Sequence, residues 1–350
     1  MRRHTPLLAA LAAATASLIT IGFAAAPAAT AGAWHGGRAL PRDVFAPYVE
    51  TYDTTDGGPA ALSQESGARY ESLAFLQTAT AGSCTAYWNG DTSTPISSSS
   101  FGSDISAIQA AGGNVIPSFG GYAADTTGTE IADSCASVAG IAKVFEQVIT
   151  TYHVPRIDLD IEGTSLTDTA GINRRNEAVA EVEAWAAHHG LRIQFSYTLP
   201  VLTTGLDAED DAVLENAIAD HARIATVNLL TFDYYIGTEQ DMVADTESAA
   251  AGSFTELQSL YPYDSPARIW HMIGVTEMPG IDDFGTDETF SQADAITVLN
   301  WARSKGIGLL SFWALERDNG ACPGTKGAGN CSGLTQPAWY FSHVFEHFTR

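Results

Sequence analysis

Eight short apolar runs recur along this chain, and their spacing restricts the fold more than any other feature. They cover residues 45–52, 72–79, 114–120, 156–162, 192–199, 226–234, 268–275 and 308–315. Most are continuously rather than alternately hydrophobic, which suits strands buried on both faces of a parallel sheet. Helical periodicity fills the intervals, most clearly over 105–111, 138–152, 173–189, 210–222, 291–304 and 337–348. In the second of these, Ile141, Val144, Phe145 and Val148 share one face. The first and sixth intervals carry the weakest helical pattern. Strand then helix, eight times over, predicts an α/β fold, a (β/α)8 TIM barrel in a single domain. The 350 residues fit, because α/β barrels routinely run past 200 residues as one unit. No Pro-rich or Ser/Thr-rich tether leads to a second module.

The first 31 residues read differently. Arg2 and Arg3 precede an uncharged Ala/Leu-rich run, and Ala29-Thr30-Ala31 is a small-x-small cleavage signal. This predicts a secretory signal peptide over 1–31, an extracellular product and a mature domain over 32–350. No later stretch approaches the roughly 20 apolar residues that a membrane helix needs. The chain carries 17 Lys+Arg against 41 Asp+Glu, a formal charge of −24. That balance disfavours nucleic-acid partners and anionic membranes, both of which require a basic face.

Export permits disulfides. Four cysteines allow three pairings. Cys322 and Cys331 lie close together in a Gly/Ser/Asn-rich stretch, which suggests a local clip and leaves Cys84–Cys135 by elimination. A metal site would want a CxxC or a paired His nearby, and neither stands there. The 9 His are scattered without ligand spacing. Phosphate-loop and dinucleotide fingerprints are absent from the sequence. No metal and no cofactor are expected.

In a (β/α)8 barrel the chemistry sits at the C-terminal ends of the strands. The most informative of these ends is Arg156-Ile-Asp-Leu-Asp-Ile-Glu162. Strand side chains alternate, so Asp158, Asp160 and Glu162 project to one side, successive carboxylates roughly 7 Å apart. That side must be the barrel interior, with Ile157, Leu159 and Ile161 packing outward. Buried like charges cannot all stay ionised, so at least one carboxyl should keep its proton at neutral pH. A protonated carboxyl at a strand mouth is a general acid, and a glycosidic bond is its natural target.

This segment resembles the last three acids of the DxxDxDxE signature of glycoside hydrolase family 18, the chitinases and related enzymes. Ser118-Phe-Gly-Gly121 on the preceding strand is similar to that family's SxGG motif. Ser311-Phe-Trp-Ala-Leu-Glu-Arg-Asp318 resembles the FWxxxRD ending of its bacterial members. Ser196-Tyr-Thr-Leu-Pro200 and Val275-Thr-Glu-Met-Pro279 look similar to strands five and seven of a single-domain bacterial branch. One departure stands out: the signature usually opens with Asp-Gly, where this chain has Pro155-Arg156.

The resemblance implies a secreted chitinase, its family 18-like catalytic domain spanning 32–350, with retention at the anomeric carbon by substrate assistance. Glu162 would protonate the leaving oxygen and then act as base for water. Asp160 would orient the 2-acetamido group and stabilise the oxazolinium ion, and Asp158 would share a proton with Asp160. Asp233 would fit the family's strand-six Asp. Phe232 occupies the position of the usual Tyr, so Tyr234 or Tyr197 would supply the missing hydroxyl. Trp313 would floor the cleaved sugar, and Gln77 is a further candidate contact, with Glu277, Trp88 and Tyr122 weaker ones. Arg317 and Asp318 are expected to form an internal ion pair. The implied partners are chitin or N-acetylglucosamine oligosaccharides, met by a monomer. The same motif also fits an endo-β-N-acetylglucosaminidase acting on N-linked glycans. A non-catalytic chitin-binding lectin is a third reading, against which the presence of Glu162 argues.

Overall fold

A computed structural model describes residues 39–349, so the expected signal peptide lies outside the described residues. Val44–Phe45 (β1) and Tyr48–Glu50 (β2) are two halves of one strand. They are parted at Ala46-Pro47, where proline has no N–H to give a ladder. The remaining strands are Tyr70–Thr78 (β3), Ala86–Trp88 (β4), Asn114–Gly120 (β5), Arg156–Asp160 (β6), Gln194–Pro200 (β7) and Ile224–Leu230 (β8). Ile273–Glu277 (β9), Gly280–Asp282 (β10), Gly285–Phe290 (β11) and Leu309–Phe312 (β12) complete them. β1 pairs in parallel with β12 and β2 with β3, while β3, β5, β6, β7, β8, β9 and β12 follow as parallel neighbours. One run of chain thus holds both the first and the last strand, and the sheet closes on itself. β4 folds back antiparallel on β3, and β10–β11 form a separate hairpin after β9.

A helix follows each barrel strand: Pro59–Ser66, Gly102–Ala110, Val138–Tyr152, Thr169–His188, Ala208–Ala219, Met242–Leu260, Gln292–Lys305 and Tyr340–Phe345. Val138–Tyr152 shows why these sequences choose the helix. The Ser137 hydroxyl caps it by accepting from the Gly140 N–H at 3.1 Å. Its apolar stripe puts Phe145 edge-on to Phe119 at 5.0 Å and against Phe195 at 5.5 Å. Truncating that ring to Ala would cost about 3–5 kcal/mol. As expected, Ile157, Leu159 and Ile161 are buried.

Three boundaries differ from the sequence reading. Residues 268–275 divide, with Pro266–Met272 helical and β9 beginning only at Ile273. Pro266 suits a first helical turn, and the Ser265 side chain caps it from the front. The sixth strand stops at Leu230 rather than continuing to 234, because Asp233 and Tyr235 adopt φ of 53° and 55°. The sixth helix is also longer than its pattern suggested. Thr246, Ala249, Ala250 and Ser253 make up most of its buried face, and small residues weaken a hydrophobic signal while still packing closely.

The barrel interior is polar where the outer layer is apolar. Ser72, Ser118, Ser196, Thr198, Asn228, Thr276 and Ser311 are all buried. Asn228 donates to Thr198 Oγ1 at 3.1 Å and accepts from Thr276 Oγ1 at 3.0 Å. Both expected disulfides form, Cys84–Cys135 and Cys322–Cys331.

Candidate active site

Asp158 sits deepest in the acid ladder, and four hydroxyls surround it. Its Oδ2 accepts from Ser118 Oγ at 2.7 Å and Tyr48 Oη at 2.9 Å. Its Oδ1 accepts from Ser196 Oγ at 2.7 Å and Thr198 Oγ1 at 2.8 Å. Burial pushes its pKa up, and these bonds pull it back by favouring the charged form. All four partners are hydroxyl donors, a geometry that suits the carboxylate form, although burial leaves the pKa raised.

Asp160 lies two residues on and is treated oppositely. It is buried, and its Oδ1 finds no hydrogen-bond partner. Burial, then the charges of Glu162, Asp158 and Asp125, holds its pKa well above the ordinary carboxyl range. Asp160 thus sits where its neutral form is favoured, between two acidic neighbours. Glu162 follows at the strand's mouth, half-buried, with burial pushing its pKa up to about 7.

The two glycines of Ser118-Phe-Gly-Gly121 have steric reasons to be there. A Cβ on Gly120 would lie 2.0 Å from the Asp160 carbonyl oxygen, and one on Gly121 would lie 2.6 Å from the Phe75 ring. Both residues also have positive φ, 98° and 83°. The motif lets β5 press against the acid strand and then turn sharply. That turn begins the helix Tyr122–Thr127, which carries Asp125. Asp125 is buried and accepts the backbone N–H of Glu162, with burial and Glu130 lifting its pKa to about 9. Its partner cluster is ionic: Arg175 pairs with Glu130 at 3.0 Å and lies 3.8 Å from Asp133.

Asp160 and Glu162 open into a cleft of about 770 Å3. Gln77, Asp233 and Trp313 line the same cleft, with Phe75, Tyr122 and Phe284 among the aromatic walls. Trp313 stacks on Phe75 at 5.5 Å and 13°, and lies 5.6 Å from Tyr48. Such an apolar floor suits the C–H face of a sugar ring. Asp233 lines the cleft with its pKa raised to about 8 by burial and by Asp282 and Asp283. Among the described residues, no group of three or more His, Cys, Asp or Glu is placed to hold a metal ion.

Several expected residues fall elsewhere. Tyr197 faces out of the barrel, fully buried, and donates to Asn176 Oδ1 at 2.8 Å. Strand alternation requires this, since Ser196 and Thr198 on either side point inward. Tyr234 does not line the cleft; its ring lies beside Glu277 and Thr246. The hydroxyl that reaches the ladder belongs to Tyr48 of the first strand. Glu277 is buried against Thr246 at 2.9 Å, and Trp88 is a core residue donating to Tyr152 Oη at 2.9 Å. Arg317 and Asp318 do not pair. Arg317 donates to the carbonyls of Pro279, Ile281 and Ala328, while Asp318 accepts from the Phe341 and Ser342 N–H groups, the Ser342 hydroxyl and the Gln336 amide. Asp125 and Tyr48 went unread because neither belongs to a local pattern.

No protein-family model matches the sequence. The chain is 33% identical over 326 residues to the probable bifunctional chitinase/lysozyme of Escherichia coli, covering 89% of this chain and 35% of that protein. It is 32% identical over 293 residues to endochitinase 11 of Metarhizium anisopliae, covering 80% of this chain and 53% of that one. The chain thus spans about a third to a half of the length of these curated relatives. Active domain 2 of the Pyrococcus furiosus chitinase, solved as catalytic-site mutants complexed with chito-oligosaccharides, shares the fold with a TM-score of 0.77 at 27% identity, over 89% of this chain and 96% of that one. With the barrel, the inward acid ladder and the glycine turn beside it, these likenesses to chitinases agree with the family 18 resemblance carried by the sequence motifs.

Proposed function

We propose that this chain is a secreted chitinase that hydrolyses β-1,4 links between N-acetylglucosamine units. The observation that carries the reading is the arrangement along one strand: Asp158 is wrapped by four hydroxyl donors, Asp160 is buried with one unpartnered oxygen, and Glu162 stands beside it on the cleft, its pKa raised to about 7 by burial. The named relatives support the substrate class, being chitinases and, in one case, complexed with chito-oligosaccharides.

In this mechanism a sugar stacks on Trp313 with its glycosidic oxygen toward Glu162. Protonated Glu162 donates to that oxygen as the bond to the anomeric carbon breaks. The substrate's own 2-acetamido oxygen attacks that carbon, as substrate-assisted retaining hydrolysis requires. Asp160 orients the acetamido nitrogen and stabilises the positive oxazolinium ring, its proton passing toward Asp158. The Glu162 carboxylate then takes a proton from water, which attacks the anomeric carbon from the face the leaving group vacated as the acetamido C–O bond breaks, and the acid is restored. Asp233, which lines the same cleft, holds the sugar.

The test is anomer-resolved product analysis on chitin oligomers, run beside a high-mannose glycopeptide. Initial β-anomer from the oligomers and none from the glycopeptide is the expected result. Release of glycan from the glycopeptide alone would replace chitin with N-linked glycans as the substrate, and initial α-anomer would remove substrate assistance. Glu162→Gln should lower hydrolysis by on the order of 10²–10⁴-fold while leaving oligosaccharide binding in place. Binding by the wild type with no turnover would favour a lectin.

A further inference from the structure

A second cavity, of about 310 Å3, lies beneath the N-terminal ends of β6, β7 and β8, at the far end of the barrel from the acid ladder. Its wall includes Arg42, Arg156, Arg223, Arg268 and His271, with one carboxylate, Glu183. The whole chain has only 17 Lys+Arg against 41 acids, so four guanidinium groups around one small cavity are an unusual local concentration of positive charge.

Three of the four have carboxylate partners. Arg42 is 3.8 Å from Asp43, Arg223 is 3.3 Å from Glu183, and Arg268 is 2.8 Å from Asp264. All three are largely exposed and can swing at the rim. Arg156 differs. It is only 7% exposed, and no carboxylate among the described residues lies within ion-pair distance of it. Its Nε and Nη2 both donate to one neutral acceptor, Gln194 Oε1, at 3.2 and 2.9 Å. Its Nη1 has no acceptor. Asp158 attracts it from further along the strand, but the Asp158 oxygens are already engaged by four hydroxyls.

A buried cation normally carries a counter-ion, because desolvation without one costs several kcal/mol. Arg156 is also where the chain departs from the Asp-Gly opening of the acidic signature, so a charge stands where that pattern has no side chain. A guanidinium fork matches a tetrahedral oxyanion in geometry as well as in charge. We propose that the cavity is a binding site for a small oxyanion of the phosphate type, anchored by Arg156 and closed from the rim by Arg223 and Arg268. The cavity's size excludes a polymer chain, and the surrounding acidic surface makes the grip dependent on these few residues rather than on a general field.

The test uses the full chain at pH 7, with thermal unfolding followed against sodium phosphate and against sodium chloride at matched ionic strength. Phosphate should raise the midpoint by a few degrees in a saturable way, and chloride should not. Arg156→Gln should abolish the phosphate-specific shift, and without phosphate it should unfold no earlier than wild type. If that variant does not fold, Arg223→Gln with Arg268→Gln, both at exposed positions, should weaken phosphate binding by about tenfold or more. A shift no larger with phosphate than with chloride overturns the proposal, as does a phosphate shift that survives in the variants. None of these readouts uses hydrolysis, so they stand apart from the chitinase reading.

Discussion

The acid ladder of β6 and the acids that hold the cleft wall at residues 233–235, Asp282 and Glu288, are both buried carboxyl clusters, yet they are held in different ways. In the ladder, Asp158 takes its hydrogen bonds from side-chain hydroxyls of β2, β5 and β7. Behind the wall the donors are backbone N–H groups. Glu288 accepts from Tyr234 and Tyr235, and Asp282 accepts from Asp233, Phe284 and Gly285. Asp282 is pushed up to about 7 by burial and by Glu288, much as Glu162 is. A raised pKa therefore does not by itself mark a reacting group. The distinguishing feature is what the carboxyl engages: the wall acids fasten a loop, whereas Asp160 keeps an unpartnered oxygen beside the cleft.

The widest separation between the two clusters should appear on substitution by the amide. Asp160→Asn should lower turnover of chito-oligosaccharides by on the order of 10²–10⁴-fold, since under the proposed mechanism it removes the shared proton and the charge facing the oxazolinium. Asp282→Asn should leave turnover within the same order of magnitude. Equal losses in the two variants would erase the distinction. The pH profile sharpens it further. Glu162 must be protonated to donate, and it is protonated below its raised pKa of about 7. The kcat/KM should therefore hold through mildly acid pH and fall about tenfold per unit above 7. A fall that already begins near pH 4–5 would mean that the acid is not raised.

The stabilising side of the ladder is open to a smaller test. Ser118→Ala deletes one of four donors to a buried carboxylate, which should cost about 1–3 kcal/mol in denaturant unfolding at pH 7. The sign follows from the protonation of Asp158. Losing a donor raises its folded pKa further, so the folded state is penalised most where Asp158 must be charged. The deficit should shrink toward pH 4, where the proton is available in both states. A deficit independent of pH would mean that Ser118 serves packing alone.

These differences bear on what can be read from a linear chain. The eight strands were legible because burial on both faces leaves continuous apolar runs, and the acid ladder because period-two alternation is local. The helix Met242–Leu260 was poorly legible because close packing selected Ala, Ser and Thr for its buried face. Tyr48 lies 110 residues from the Asp158 it serves, a contact that only barrel closure creates. Asp125 sits in a short polar helix and gains its role from a turn that two glycines impose. Tyr197 is the instructive miss: the alternation that turned Asp158 inward also turns Tyr197 outward once its register beside Leu159 is counted.

The smallest effect belongs to the wall. Glu288 receives the Tyr234 and Tyr235 N–H groups at 2.8 and 2.7 Å, one on each oxygen. Those bonds hold a segment in which Asp233 and Tyr235 both have positive φ, a conformation that non-glycine residues adopt only when their surroundings require it. Glu288→Gln keeps one acceptor and replaces the other with a donor that faces an N–H. The segment should loosen without emptying the ladder. Asp233 and the exposed Tyr235–Phe284 pair, 4.2 Å apart, would then meet the sugar less well ordered, so KM should rise a few-fold with kcat nearly unchanged. A loss confined to kcat would place Glu288 with the reacting acids and undo the contrast between the two clusters.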